Sequence, residues 1–280
     1  MWRKLLFFTV LALGISAFSA ASAQQITIDG LFDDWNAVTT SFTDATGANE
    51  LFIAFGAAYD PNVGVTPEQQ SYMDIKEVKI TNDAEKLYVM IEVVGGPKGD
   101  IYLDAKDVWE PHGGWGYYPW QVILDTDNSY ETGLKADQSE VAVLLASPES
   151  VHMGVDKYFA FDINNDGTID TGGNQFTFPT SSISDEEDLP GAERTEAAYQ
   201  GNQIEMSCPL DVLGLSIGDT IRFFTYVRIE AKEGVSPVLD ENTGSIYGID
   251  VTEPAQEYTL QEPVLAVEGS SWGMIKSLYR

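Results

Sequence analysis

The chain has 280 residues, and its 44 Asp and Glu against 15 Lys and Arg give a formal net charge of −29 at pH 7. Such a negative field repels nucleic acids and anionic membranes, which we therefore exclude as partners. Because 44% of the residues are hydrophobic, the chain can bury a core and is not a disordered acidic tail. The single cysteine, Cys208, excludes an internal disulfide, and its alternating surroundings predict core packing.

The first 23 residues have the pattern of a secretory signal peptide. Arg3 and Lys4 precede an apolar run at 5–13, and the small residues Ala-Ser-Ala at 21–23 offer a cleavage site. The run is well short of the about 20 apolar residues that a membrane-spanning helix needs. We expect no transmembrane segment elsewhere. The mature protein, starting at Gln24, is expected to be secreted, and to work in the periplasm, in the medium or at the cell surface.

Short segments of alternating apolar and polar residues predict β-strands along most of the chain. The scarcity of helical periodicity favours a β-sandwich over a fold of alternating strands and helices. We predict an all-β protein, a single antiparallel β-sandwich with long loops, over residues 24–265. The expected strands are 26–28, 51–55, 75–80, 87–94, 121–124, 141–145, 157–162, 175–178, 195–199, 203–207, 221–229, 245–251 and 257–260, with one helical turn at 210–213.

The last residues, 266–280, differ from the rest of the chain. Trp272, Ile275 and Leu278 share one side of a short predicted helix that ends in basic residues. This tail resembles the Trp-Gly-x-Ile-Lys tails that end some secreted bacterial proteins. The resemblance implies sorting or anchoring at the cell surface, whereas a terminal helix packed on the sandwich is the alternative.

Four segments in the same order resemble family 9 carbohydrate-binding modules and the related DOMON-like secreted β-sandwich domains. They are an opening Ile-Asp-Gly and Asp-Asp-Trp at 26–35, an Asp-x-x-x-Leu-Tyr hairpin within 82–93, an Asp-Thr-Asp-Asn segment within 120–133, and an Ile-Glu strand within 203–213. The resemblance covers about residues 26–230. It implies a β-sandwich that binds saccharides without catalysis, and it places a stacking tryptophan ten residues before Asp125, at Trp115.

The densest aromatic segment of the chain, at 109–120, is bounded by Gly and Pro and is predicted to be a loop. Flat aromatic rings stack on the C–H faces of sugars, so such a loop suits a saccharide platform. Its alternative role is a secondary core beneath a long loop. The second stacking ring of the family has no tryptophan here, and Tyr247 or Tyr258 are its candidates. The predicted carbohydrate-binding residues are Trp109, Trp115, Tyr117, Tyr118 and Trp120.

A second motif indicates calcium binding, because Asp-x-Asn-x-Asp-Gly spaces oxygen ligands alternately around one hard cation. Position twelve is Gly173 instead of the usual bidentate Glu, so another acid would have to complete the site. A weaker run of alternating oxygens spans 125–131. Calcium is expected to be structural in either place. The predicted metal ligands are Asp162, Asn164, Asp166, Thr168 and Asp170.

These features favour a secreted, non-catalytic protein that binds an oligosaccharide or polysaccharide and is stabilised by calcium. Two other functions stay open: a structural or surface-displayed sandwich, and a haem-binding electron-transfer module. Haem would be non-covalent, since no Cys-x-x-Cys-His is present, and its axial ligands would come from Met73, Met90, His152 or Met153. We do not expect an enzyme, because the sequence has no nucleophile, zinc-protease or nucleotide-binding motif.

Overall fold

The computed structural model describes residues 26–44, 51–54, 71, 74–95, 120–138, 152–163, 168–182, 185–231, 246–252 and 254–262. At 51–54, 228–231 and 246–251 the description is confined to the backbone. The predicted signal peptide, the strand predicted at 141–145 and the predicted tail all lie outside the described residues.

The described chain is built of β-strands with very little helix. In chain order the strands are β1 Ser41–Thr43, β2 Leu51–Ala54, β3 Ile75–Asn82, β4 Lys86–Val93, β5 Trp120–Asp125, β6 Leu134–Lys135, β7 Gly154–Val155, β8 Lys157–Ile163, β9 Ile169–Gln175, β10 Glu187–Asp188, β11 Glu196–Gln200, β12 Gln203–Pro209, β13 Thr220–Ala231, β14 Ile246–Val251 and β15 Gln256–Thr259. An α-helical turn, α1, occupies Leu210–Leu213, and short 3-10 helices occupy Asp34–Ala37, Ala136–Gln138 and Ala192–Arg194. No helix among these residues has the length and hydropathy that crossing a bilayer requires.

The strand pairs among the described residues are antiparallel, and most of them form two main sheets. The five-stranded sheet has the order β1-β3-β4-β12-β11, and the larger sheet has the order β10-β9-β8-β5-β13-β14-β2. β15 also pairs with β13, and β6 pairs with β7 in a separate two-stranded ribbon. Side chains from both main sheets share one hydrophobic core. The predicted all-β antiparallel sandwich is therefore confirmed.

The core lies between the sheets and follows the two-residue period of the strands. On β4, Leu87, Val89 and Ile91 point into the core and are fully buried. Tyr88 and Met90 point the other way, yet they are also buried, because residues 26–38 cover the outer face of the five-stranded sheet. The buried Cys208 belongs to the central core, as predicted.

The outer face of the larger sheet is covered as well. Ile123 of β5, Tyr158 of β8 and Phe224 of β13 form a second cluster with Met153 and Phe176. Both faces of β5 are thus buried, which explains why its sequence is an almost continuous apolar run.

Two predicted strands are wrong at their positions. Residues 26–28 form no strand; Ile26 and Ile28 pack against the outer face of the five-stranded sheet instead. The strand predicted at 175–178 lies earlier in the chain, where it forms β9 and ends at Gln175. The apolar signal there came from Phe176, which leaves the sheet to pack in the second cluster.

A buried carboxylate fastens the opening segment to the five-stranded sheet. Glu205, on β12, is 0% exposed. Its Oε1 accepts the N–H groups of Asp29 (2.8 Å) and Gly30 (2.6 Å), and its Oε2 accepts the indole N–H of Trp35 (2.9 Å). Burial raises the pKa of Glu205, while the three donors act in the opposite direction. Trp35 is 1% exposed and packs in one cluster with Tyr88 and Met90.

We expect Glu205→Gln to lower the free energy of unfolding by about 1–3 kcal/mol, the cost of a buried donor without an acceptor. The glutamine NH₂ must face either the two backbone donors or Trp35, and none of these accepts a hydrogen bond. Urea unfolding followed by tryptophan fluorescence measures the loss. Glu257→Gln, at an exposed site on β15, is the matched control. Equal midpoints for the two variants would contradict the role of Glu205.

Candidate functional site

The predicted aromatic loop is followed in the sequence by β5, the central strand of the larger sheet. β5 lies between β8 and β13, so the segment before it leads into an interior strand. Trp109, Trp115, Tyr117 and Tyr118 lie outside the described residues.

Trp120 does not belong to the predicted saccharide platform. It is the first residue of β5 and is 0% exposed, with its ring stacked on that of Phe161 at a centroid distance of 6.2 Å. Its indole nitrogen has no hydrogen-bond partner among the residues that the structure describes. The prediction is corrected because Trp120 faces the core between the sheets, where no sugar reaches it, and anchors the aromatic segment instead.

At the opposite end of β5, three carboxylates converge. One carboxylate oxygen each of Asp125, Asp127 and Asp156 lies within 4.8 Å of the other two. Asp125 is 0% exposed. The pKa of Asp125 is raised to about 6, mainly by burial, and the negative charges of Asp156 and Asp127 raise it further. Burial likewise raises the pKa of Asp156.

Hydrogen bonds fix the loop that carries these acids. Oδ1 of Asp125 accepts the N–H of Ser129 (3.0 Å), which closes a tight turn after β5. Oδ2 of Asp156 accepts both the N–H and the hydroxyl of Thr126, at 2.8 and 2.9 Å. Within this turn Asn128 adopts a left-handed conformation, with φ 55°. Asn tolerates that conformation better than most residues.

A polar aromatic cluster adjoins this loop. The rings of Tyr130 and His152 stack at a centroid distance of 3.7 Å, and both donate to Asp137, from the Tyr130 hydroxyl (2.7 Å) and through a ring nitrogen of His152 (2.6 Å). These two bonds hold the pKa of Asp137 below its usual value, although burial opposes them. The ammonium of Lys135 lies 4.8 Å from the Tyr130 ring centroid. Both faces of the Tyr130 ring are thus engaged within the protein.

The predicted calcium loop joins β8 to β9 as a hairpin. Asp162 and Asp170, its first and ninth positions, are direct cross-strand partners. Asp162 is half-buried, whereas Thr168 and Asp170 are exposed. Asn164 and Asp166 lie outside the described residues. Side chains of directly opposed residues share a face of the sheet, so the structure brings the two ends of the predicted ligand set together.

The other candidate ligands have roles in packing. Tyr258, a candidate second stacking ring, is 5% exposed and donates its hydroxyl to Asn82 (2.7 Å). The side chain of Tyr247 and all of Met73 lie outside the description. Met90 and Met153 are buried in hydrophobic clusters.

Neither a family model nor a curated protein sequence matches this chain. Among solved structures, the chain is similar to a family 9 carbohydrate-binding module from Caldicellulosiruptor kristjanssonii in complex with glucose, at 14% identity and a TM-score of 0.41 over 89% of this chain and 97% of the module. The cellotriose complex of a family 9 module from the same organism gives 14% identity and a TM-score of 0.42, over 88% and 95%. Both are modules of the family that the four sequence segments resemble.

Two residues that the structure shows to be important, Asp156 and Glu205, were not identified from the sequence. Asp156 joins Asp125 across 31 positions of the chain, and no local spacing connects them. Glu205 resembled a solvent-facing residue of an alternating strand. Its signal was indirect: the Ile-Glu strand and the opening segment are two of the four segments that resemble one family, and they meet in the structure.

We expect Trp120→Ala to lower the free energy of unfolding by about 3–5 kcal/mol, as other large-to-small changes of core aromatics do. Phe178→Ala, at a side chain that is 47% exposed, is expected to change it by no more than about 0.5 kcal/mol. Chemical unfolding monitored by circular dichroism compares the two. If Trp120→Ala is as stable as the native protein, Trp120 does not pack in the core and could belong to the predicted saccharide platform.

Proposed function

We propose that this protein is an exported, non-catalytic saccharide-binding protein whose binding surface is the aromatic segment at 109–118. The observation that carries the proposal is the attachment of this segment to β5. Trp120 is buried at the start of this central strand. Loops on a rigid scaffold are the usual carriers of binding residues, and this loop has the highest aromatic density in the sequence.

The chemistry of the segment suits a neutral, polyhydroxylated ligand. Trp115, ten residues before Asp125, occupies the position of a stacking ring in the family that the sequence resembles. Trp109, Tyr117 and Tyr118 supply further rings with polar edges. The strong negative charge of the chain disfavours anionic ligands. An uncharged oligosaccharide or polysaccharide is therefore the proposed ligand.

The closely spaced acids of the described residues do not support a hydrolytic function. Retaining glycosidases place two carboxyl groups about 5–5.5 Å apart on either side of an accessible glycosidic bond. Asp125 has a raised pKa and near neighbours, but it is 0% exposed. A carboxyl group that is out of reach of the substrate cannot protonate a leaving group, so Asp125 is not the acid of such a mechanism.

Calcium at the hairpin between β8 and β9 is the proposed structural cofactor, with Asp162, Asn164, Asp166, Thr168 and Asp170 as ligands. Opposed like charges on neighbouring strands destabilise a sheet, and Asp162 faces Asp170 in this arrangement. A hard cation held by alternating oxygens would offset that repulsion and fix the turn. Oxygen donors are what calcium prefers, so the residue types fit the ion.

The signal-like segment at 1–23 supports export, and the aromatic, basic tail at 266–280 supports association with the cell surface. A surface protein can use a saccharide-binding sandwich either to hold a nutrient polymer or to attach to a glycan coat. Both uses require the same binding loop.

We expect Trp115→Ala to abolish the retardation of the protein in native gels that contain a soluble polysaccharide. The reason is the loss of the flat ring on which a sugar stacks. Glucose and cello-oligosaccharides, added as competitors to the native protein, are the first probes. Phe178→Ala removes an exposed aromatic side chain elsewhere and is the control. Equal retardation of Trp115→Ala and the native protein would exclude this binding site.

We expect calcium to raise the melting temperature of the native protein, and Asp170→Asn to reduce that rise. The variant removes one proposed ligand from an exposed position, so it should fold normally. Asp188→Asn, at an exposed acid on β10, is the control. Scanning fluorimetry with calcium and with a chelator measures both. An identical calcium response in the native protein and Asp170→Asn would contradict a site in this hairpin.

A further inference from the structure

The acids at the end of β5 belong to a different part of the molecule from the hairpin between β8 and β9. Asp125 ends β5, Asp127 lies in the turn that follows, and Asp156 directly precedes β8. One oxygen of each lies within 4.8 Å of the other two. Two oxygens that bind the same calcium ion at about 2.3–2.6 Å lie at most about 5 Å apart. The three carboxylates are therefore already within the span of one ion.

A second observation points to a ligand at this cluster. Oδ2 of Asp125 is buried, and it has no hydrogen-bond partner among the described residues. Its other oxygen accepts the N–H of Ser129, which holds the carboxylate in place. A buried carboxylate oxygen without a donor loses its hydration and gains nothing in return. Coordination of a cation would satisfy this oxygen.

Neither of the two nearby basic side chains, Arg222 and Lys157, donates a hydrogen bond to Oδ2 of Asp125. Arg222 is the cross-strand partner of Asp125, but its guanidinium donates to the carbonyl of His152 at 2.7 Å. Lys157 follows Asp156, but its ammonium donates to the carbonyl of Leu213 at 2.7 Å. Both cations weaken the local negative potential. Each of them donates to a backbone oxygen instead of to Asp125.

The geometry points to a binding site for a hard divalent cation of the calcium type, held by Asp125, Asp127 and Asp156. It goes beyond the proposed function, since it requires neither a saccharide nor the hairpin. Asp127 is exposed and gives the ion a path from solvent, while Asp125 closes the site from the inside. The ion would join the end of β5, its following turn and the start of β8. Backbone carbonyls and water complete the six to eight ligands that calcium takes.

The site also differs from the one that the alternating oxygens at 125–131 suggest. That spacing places Ser129 and Glu131 among the ligands. In the structure Ser129 donates its N–H to Asp125, and Glu131 pairs with Lys135 at 3.3 Å. Asp156 takes their place, from a segment that local spacing does not reach.

The test is calcium titration by calorimetry of the full chain and three variants, with melting temperatures measured in calcium and in a chelator. Asp127→Asn removes an exposed ligand of the new site, Asp170→Asn an exposed ligand of the hairpin, and Asp188→Asn an acid of neither. We expect Asp127→Asn to abolish one calcium-binding event or to lower its affinity by more than about tenfold. Changes to residues that only support the direct ligands already lower metal affinity by about that factor. In chelator Asp127→Asn should melt no lower than the native protein, because one of three crowded charges is gone.

Two results would overturn the inference. One is a calcium isotherm of Asp127→Asn identical to that of the native protein. The other is an Asp127→Asn variant that melts lower than the native protein in chelator and by the same margin in calcium. That result would show that Asp127 only accepts the hydrogen bond from the hydroxyl of Thr132 (2.9 Å) and binds no ion. Gel retardation by polysaccharide and the response of Asp170→Asn are separate readouts, so failure of the proposed function is distinguished from failure of this site.

Discussion

The covering of the five-stranded sheet by the opening segment depends on one buried carboxylate, that of Glu205. Glu205 would be costly in the interior if it were alone, because burial disfavours its charged form. Two backbone N–H groups and one indole N–H satisfy both of its oxygens. The carboxylate also holds Trp35 over the outer face of β4, and Trp35 shields Tyr88 and Met90 from water. An irregular segment thus becomes a third layer of the sandwich.

Alternation in the sequence predicted most strands because one face of each points into the shared core. It failed at two places where residues outside the strands are buried against the outer face of a sheet. Ile26 is buried without pairing, so its apolar character does not indicate a strand. Phe176 is buried after β9 has ended, in the cluster outside the larger sheet. Hydrophobic pattern reports burial, and burial coincides with strand pairing only in a two-layer structure.

The candidate site was less accessible to sequence reasoning, for two physical reasons. Trp120 belongs to the aromatic segment by composition but to the core by position, because the strand begins at that residue. Asp156 meets Asp125 only because β5 and β8 are paired, and pairing is not encoded in local spacing. Conversely, the Asp-x-x-x-Leu-Tyr segment has a local explanation. Asp83 accepts the N–H groups of Glu85 and Lys86 and the hydroxyl of Tyr88, which shapes the hairpin turn.

The contact between Trp35 and Glu205 spans 170 positions of the chain. The opening segment therefore leaves the ribosome long before its acceptor exists, and it waits unpaired until β12 is made. Contacts of such long range form late in folding, after the loops between them have closed. Interactions absent from the folding transition state act mainly on the rate of unfolding. The hydrogen bonds between residues 29–35 and Glu205 are thus expected to slow unfolding of the native protein more than they speed its folding.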